Sequence, residues 1–307
     1  MPQFSIIITC FNHREFIGEA VQSALNQTHP AKEIIVVDDC SIDGSQQVLE
    51  SFSSQVRVIT NKKNFGPNMA RNIGAAMAEA DYLVFLDGDD LLRRDALTVY
   101  NCLAERNGPD CILCTFDSFD LHVPSLSIPE GRPIEFVEYQ RLLLKDRTFS
   151  SSASAIVLKR LVFQCVGGWS DLFPCEDSDL FLRACSQGTA IQILSPATAL
   201  KRNHPNNYSR DIRAMTNGIL RIIAEERSGR YKRETRYARY CFLGGPAFAW
   251  TKNCLSIGAF GVAVRLAIVS WPMIVAASFH RIACICAHRS KVHCINITDP
   301  AHNICNI

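Results

Sequence analysis

Tyr82-Leu83-Val84-Phe85-Leu86-Asp87-Gly88-Asp89-Asp90 is the stretch that decides the fold. Its first five residues are apolar or aromatic, too few for a helix and bounded by charge. They read as a strand buried on both faces. Such a strand belongs to a sheet covered by helices on each side, where ligands gather beyond the carboxyl ends of the strands. Asp87, Asp89 and Asp90 then stand on the ligand edge. Hard oxygen donors in a strand-end loop suit a divalent cation. A solvated acidic turn, or negative charge at the start of the next helix, accounts for them equally well.

Working toward the N-terminus, Gly66-Pro67 opens a helix with Met69, Ala70, Ile73 and Met77 facing inward; proline suits its first position. Before it come strands at residues 56–60, 33–38 (EIIVVD) and 4–9. Between the strands, Phe16, Ile17, Ala20, Val21, Ala24 and Leu25 recur at helical spacing. Ser45 is placed to cap a second helix carrying Val48, Leu49 and Phe52. Toward the C-terminus a helix is expected over 95–106 and a fifth strand over 111–116. Strand and helix alternate four times, which predicts an α/β fold: a mostly parallel, Rossmann-like sheet with helices on both faces. Thr9, Asp38, Asp39 and Asp87 then collect on one edge.

Beyond residue 120, Pro124, Pro129, Gly131 and Pro133 break up the pattern. Strand and helix signals return at 155–158 and 161–165. A Gly167-Gly168-Trp169 turn leads through an acidic loop to a helix over 179–186. In that loop Glu176-Asp177 could place a carboxylate as a general base. Simple helix N-terminal charge explains the same two residues.

The chain has 307 residues, 48% hydrophobic and 20% charged, with a net charge of +2. That suits one large α/β domain with a helical appendage and gives no bulk attraction to nucleic acid. There are 14 cysteines. The chain enters a strand-like run at once, without a secretory leader, so a reduced, cytosolic setting is expected, with the cysteines acting as small buried hydrophobes.

The C-terminal third reads differently. Residues 227–239 carry six Lys or Arg, with Tyr231 and Tyr237 interleaved. Such a stretch sits on an anionic membrane surface or forms a solvated helix face. Residues 255–279 are long and apolar enough to span a bilayer. Gly258, Gly261, Arg265 and Pro272 favour packed or interfacial helices instead. His280, Cys284, Cys286, His288, His293, Cys294, His302 and Cys305 follow no zinc spacing, so a loosely ordered tail is expected. The division expected is 1–215 for the α/β domain, 216–280 for a helical, membrane-associated region and 281–307 for the Cys/His-rich tail.

Taken in order, Thr9-Cys10-Phe11-Asn12, Asn26-Gln27-Thr28-His29-Pro30, IIVVDDCSIDGS (34–45), NFGPNMARNIG (64–74), YLVFLDGDD (82–90) and GGWSDLFPCEDSDLFLR (167–183) resemble family 2 glycosyltransferases, the inverting group with the GT-A fold. The resemblance covers about residues 4–210. It implies that Thr9 and Phe11 line the base pocket, Phe11 by stacking where many relatives have Tyr. By the same resemblance Asp39 binds the base, typically uracil, Arg71 approaches the nucleotide or diphosphate, and Asp87 binds ribose or assists the metal. Asp89 ligates Mn²⁺ or Mg²⁺, with His204 either a further ligand, better suited to Mn²⁺, or a surface-loop residue. Asp177 is the general base, with Glu176 beside it near the acceptor. The implied partners are a nucleotide-sugar donor, such as a UDP-sugar, and a glycan or lipid-linked acceptor in surface polysaccharide assembly. The implied location is cytoplasmic, with peripheral contact at the inner face of the cytoplasmic membrane. A sugar-phosphate nucleotidyltransferase would show a Gly-rich, basic N-terminal loop, which residues 9–13 do not. A non-catalytic nucleotide- or glycan-binding protein would lack the acids that this chain retains.

Overall fold

The structure, a computed structural model, describes residues 1–120, 122–140, 144, 152–184, 188–231, 235–286, 290–296 and 304–306. The N-terminal half follows the strand–helix alternation: β1 (Phe4–Cys10), α1 (Ile17–Leu25), β2 (Glu33–Asp38), α2 (Ser45–Glu50), β3 (Arg57–Thr60), α3 (Pro67–Met77) and β4 (Tyr82–Asp87). There follow β5 (Leu91–Leu92), α4 (Ala96–Asn107), β6 (Cys111–Leu113), β7 (Phe116–Phe119), β8 (Ile134–Tyr139), β9 (Ile156–Lys159), α5 (Arg160–Cys165), α6 (Glu176–Ala184), β10 (Ala190–Ser195) and β11 (Ala199–Arg202). The chain then turns helical in α7 (Ile212–Ser228), α8 (Arg236–Ser256) and α9 (Phe260–Cys286), before two short strands, β12 (His293–Ile295) and β13 (Ile304–Asn306).

Among the described residues, ten strands form one sheet in the order β13-β12-β8-β10-β6-β9-β4-β1-β2-β3, and β5-β11-β7 form a second, smaller one. Side chains alternate across the large sheet as the two-residue strand period requires. Ile7, Ile35, Val37, Leu83 and Phe85 join the core under α3, α5, α6 and the C-terminal helices. Ile6, Ile8, Ile34, Val36, Val84 and Leu86 join the core under α1 and α4. Gly74 lets α3 lie close on β1, since a Cβ there would stand 2.5 Å from Ile7 Cγ2.

The sheet is mixed, not mostly parallel. β3, β2, β1 and β4 run parallel, as do β6 and β10. β9 runs antiparallel between β4 and β6, and β8 and β12 add further antiparallel pairings. The reason lies in where β9 starts. Ser152 and Ala153 lie at the cavity on the carboxyl edge, so the chain enters the sheet from that edge and must run against β4.

Local expectations shift as well. The single strand expected over 111–116 is two strands in different sheets: β6 pairs with β9 and β10, whereas β7 pairs with β11. Ser45 is not the cap of α2. Gly44, at φ +97°, takes that position, and Asp43 Oδ1 accepts from Ser45 N–H (2.9 Å) and Oγ–H (2.6 Å). The helix expected from 179 begins at Glu176, so both acids lie in its first turn, and residues 185–186 fall outside the described residues.

The apolar run 255–279 is not one helix. Gly258, at φ +72°, breaks it, ending α8 and allowing α9 to fold back. The two helices pack so closely that a Cβ on Gly244 would collide with the Met273 carbonyl. Among the described residues, α9 is the one helix long and apolar enough to cross a membrane, by length and composition. Of the segment expected as a loose tail, β12 pairs with β8 and β13 with β12. His288 and His302 lie outside the described residues, as does part of the basic run, 232–234.

Cys10, Cys102, Cys114, Cys175 and Cys254 are buried thiols, whereas Cys165 on α5 is exposed. Burial pushes the Cys10 thiol up to about 11 and that of Cys114 to about 12.

Candidate active site

Parallel pairing brings three strand ends into line: Cys10 lies opposite Asp38, and Thr9 opposite Asp87. Beyond them opens a cavity of about 520 Å³. All nine residues singled out in the sequence line it: Thr9, Phe11, Asp39, Arg71, Asp87, Asp89, Glu176, Asp177 and His204. Phe11 is 42% exposed, an open aromatic face at the rim.

Arg71 ties the distant motifs together. From the first half of α3 its Nη2 donates to Asp87 Oδ1 (2.8 Å), and its Nη1 donates to Asn68 Oδ1 (2.9 Å) and Glu176 Oε1 (3.1 Å). Its guanidinium packs 4.9 Å from the centre of the Trp169 ring. Burial by itself lowers the guanidinium's affinity for its proton, but Asp87 and Glu176 outweigh that and hold it above the ordinary arginine value. Glu176 moves the other way. Burial raises its carboxyl and Arg71 only partly offsets the rise, while Asp177 adds to it. Asp177 Oδ1 accepts from Ser178 N–H (2.6 Å). Among the described residues its carboxylate has no other hydrogen-bond partner.

Asp39 is committed to the backbone. Only 2% exposed, it accepts from Asn61 Nδ2–H (2.8 Å), Phe65 N–H (3.0 Å) and Gly66 N–H (2.7 Å). It therefore holds the loop into α3, and its negative charge faces the helix N-terminus.

The acidic loop divides its labour. Gly88 is required because a Cβ would stand 2.5 Å from Thr9 O and 2.9 Å from His13 Nδ1. Asp90 turns inward, accepting from Ser154 Oγ–H (2.7 Å) and Arg202 N–H (3.0 Å). Burial first, then Asp89 and Asp87, push its carboxyl well above the usual range. Asp89 turns to the cavity, its Oδ2 lying 2.8 Å from His204 Nε2. Burial would raise Asp89, but the His204 hydrogen bond and the nearby His13 bring it below the usual carboxylate value. Among the described residues, the buried Nδ1 atoms of His13 and His204 have no hydrogen-bond partner.

The donor set fits a hard or borderline divalent cation. Neighbouring ligand atoms around an octahedral ion are about 3 Å apart, close to the Asp89–His204 separation. A carboxylate and an imidazole would fill two positions, leaving the rest for other oxygen donors. Among the described residues, no three or more His, Cys, Asp or Glu side chains form a complete ligand cluster.

Sequence reading missed the residues that set these groups in place. Arg202 donates through Nη2 to Glu19 (2.5 Å) and through Nε to Asp89 O (3.1 Å), and packs over Phe16 and Phe119. Lys201, Asn207 and Tyr208 also line the cavity. The cluster Lys201-Arg202-Asn203-His204 was the available signal, but only the fold carries it back beside β4. Within the irregular stretch beyond residue 120, residues 121, 141–143 and 145–151 lie outside the described residues.

A mixed sheet with helices on both faces and an acid-lined cavity beyond its carboxyl edge is consistent with a GT-A-like fold. The chain belongs to glycosyl transferase family 2, whose sequence profile matches residues 5–167, more than half of it. It is 37% identical over 99 residues to TuaG of Bacillus subtilis, a glycosyltransferase assigned to teichuronic acid biosynthesis, covering 31% of this chain and 39% of that one. It is 33% identical over 137 residues to the cholesterol galactosyltransferase of Borreliella burgdorferi, covering 44% and 37%. These matches span about two fifths of each relative's length. In fold it resembles Staphylococcus aureus TarS (residues 1–349), solved with UDP-GlcNAc, at a TM-score of 0.61 with 15% identity over 98% of both chains. It also resembles the mannosyltransferase PcManGT of Pyrobaculum calidifontis, solved with GDP-Man and Mn²⁺, at a TM-score of 0.52 with 15% identity over 92% and 87%.

Proposed function

We propose that this protein transfers a sugar, with inversion, from a nucleoside-diphosphate sugar to a hydroxyl of a glycan or lipid-linked acceptor in surface polysaccharide assembly. One observation carries the reading: the strand-end acids and the acids of α6 share one cavity, bridged by Arg71.

In this reading Phe11 stacks on the base and Thr9 lies beside it. Asp39 acts there chiefly by fixing the loop into α3, with its remaining acceptor capacity turned to the base. Asp87 meets the ribose or helps position the cation site, and Arg71, held by Asp87, lies where diphosphate charge arrives. Asp89 and His204 would hold Mn²⁺ or Mg²⁺. When bound, such a cation supplies Lewis-acid neutralisation of the leaving diphosphate. Asp177, in the first turn of α6, takes the proton from the attacking hydroxyl. Its bond from Ser178 fixes the carboxylate's direction. Glu176 is kept from that role by Arg71 and by burial, which favours its protonated form. A single displacement, with base and leaving group on opposite sides of the sugar, inverts the anomeric centre. The division into a catalytic region (1–215), a membrane-associated helical region (216–280) and a terminal segment (281–307) belongs to the same proposal.

Calorimetric titration with UDP, with GDP as comparison, in the presence and absence of Mn²⁺ tests this. Metal-dependent UDP binding is expected. A preference for GDP keeps the enzyme class and changes the donor. Absence of binding by folded protein sinks the reading and favours a non-catalytic one.

A further inference from the structure

The helix α9 is apolar on two opposite faces. One, formed by Ala263, Leu266, Ser270, Met273 and Ala277, is buried. The other, formed by Phe260, Val264, Ile268, Trp271, Val275 and Phe279, is between 41% and 67% exposed. Their spacing of four, four, three, four and four residues places them on one stripe at 100° per residue. The stripe runs most of a helix about 40 Å long. A continuous exposed strip of this size marks an interaction surface.

Charge identifies the occupant. Between Glu234 and Asp299 the sequence holds seven Lys or Arg and no acid. Arg265 and Arg281, both exposed, flank the stripe on opposite sides of the helix. Apolar and aromatic residues along one line with cations on its flanks are the arrangement of a helix lying in a membrane interface. Crossing the bilayer would also require burying what α9 is fastened to. Its Val269 carbonyl accepts from Arg227 of α7 (2.6 Å), and α8 bears Arg236, Arg239 and an exposed Lys252. Arg239 is in turn paired with Glu226 of α7 (3.0 Å).

We infer that the exposed face of α9 docks lengthwise, in the plane of the interface, on an anionic lipid surface. The docked hairpin adjoins the cavity: Cys254 of α8 lies 3.2 Å from Thr216 Oγ1, and the neighbouring Met215 lines the cavity wall. Docking thus tethers to the bilayer the hairpin that packs on α7, the helix that carries Met215. The inference rests on the membrane association proposed for residues 216–280 and deepens it, and it can fail while nucleotide binding and transfer hold.

The test is co-sedimentation of the full chain with phosphatidylcholine vesicles, with and without phosphatidylglycerol, without donor or acceptor. Binding is expected to the phosphatidylglycerol vesicles, to weaken with salt, and to shift Trp271 emission to the blue. A double variant, Ile268→Glu with Phe279→Glu, should bind at least about tenfold less. Both positions are exposed, and an unchanged far-ultraviolet circular dichroism spectrum and melting temperature would exclude misfolding. Trp271→Ser is a second, milder variant and should weaken binding without introducing charge. Lack of binding by the wild type, or equal binding to both vesicle types, overturns the proposal. So does a stable dimer that the double variant dissociates, since the face would then belong to a second copy. Retention of the protein in cell membranes after alkaline carbonate washing would show a crossing helix and overturn the in-plane geometry.

Discussion

At the scale of single residues, the site rests on unequal neighbours. Asp177 and Glu176 are adjacent acids, yet Arg71 and burial hold only Glu176. Asp177→Asn is therefore expected to abolish transfer while nucleotide affinity, read by calorimetry, changes less than about threefold, since the lost group serves proton transfer. Loss of nucleotide binding in a folded variant would move the base elsewhere. Asp89→Ala should remove the metal dependence of nucleotide binding; if that dependence persists, Asp87 or Asp90 holds the ion. Arg71→Met removes the partner of two largely buried carboxylates and should cost about 3 kcal/mol, measured by urea unfolding. A change near zero would show that the bridge contributes little. Asp89, Glu176 and Asp177 were legible because each follows a recognisable strand or turn, and Arg71 only through the family resemblance of its motif. Arg202 and Glu19 were not, because a pairing across 183 residues has no local pattern.

At the scale of elements, α6 carries the acids and must itself be fixed. Asp179, wholly buried, accepts from Ser170 Oγ–H (2.6 Å), Tyr231 O–H (2.7 Å) and the Arg183 guanidinium (2.6 Å). Burial would raise its carboxyl, but Arg183, Ser170 and Tyr231 bring it below the ordinary aspartate value of 3.8. The unfolded chain then binds the proton more readily, so this group's stabilisation is complete above that range and is lost as pH falls through the folded value. Asp179→Asn should be less stable than wild type by about 2–4 kcal/mol at pH 7. The gap should narrow on acidification below about pH 4. A gap independent of pH would assign the loss to packing. Helices α1 to α3 and the first four strands were legible from apolar spacing, whereas α7 and α8 were read only as part of a helical region. Strand direction was not, because an apolar run such as Ile156-Val157-Leu158 reads the same whichever way it lies in the sheet.

At the scale of the whole molecule, the cavity joins β1, β2, β4, α3, α6 and the segment after β11, so ligand binding should report on global stability. A nucleoside diphosphate with Mn²⁺ at a hundred times its Kd should stabilise the fold by about 2.7 kcal/mol. That corresponds to a rise in Tm of roughly 4 °C for a chain of 307 residues. Omitting the metal should remove most of the shift; an equal shift without it would argue against the cation site at Asp89 and His204. The architecture was legible here as a class, through the order of its motifs. The α8–α9 hairpin was legible only in part: Gly258 was read as favouring packed or interfacial helices over one span, but not as the turn that separates α8 from α9.

The buried thiols have a practical use. With values near 11 and 12, Cys10 and Cys114 are deprotonated at pH 7 to no more than about one part in ten thousand. A maleimide reagent should therefore pass over them and favour Cys165, which faces solvent on α5. A fluorophore attached there, with Trp271 on α9 as its donor, would serve as an optical ruler between the sheet's helical cover and the C-terminal hairpin.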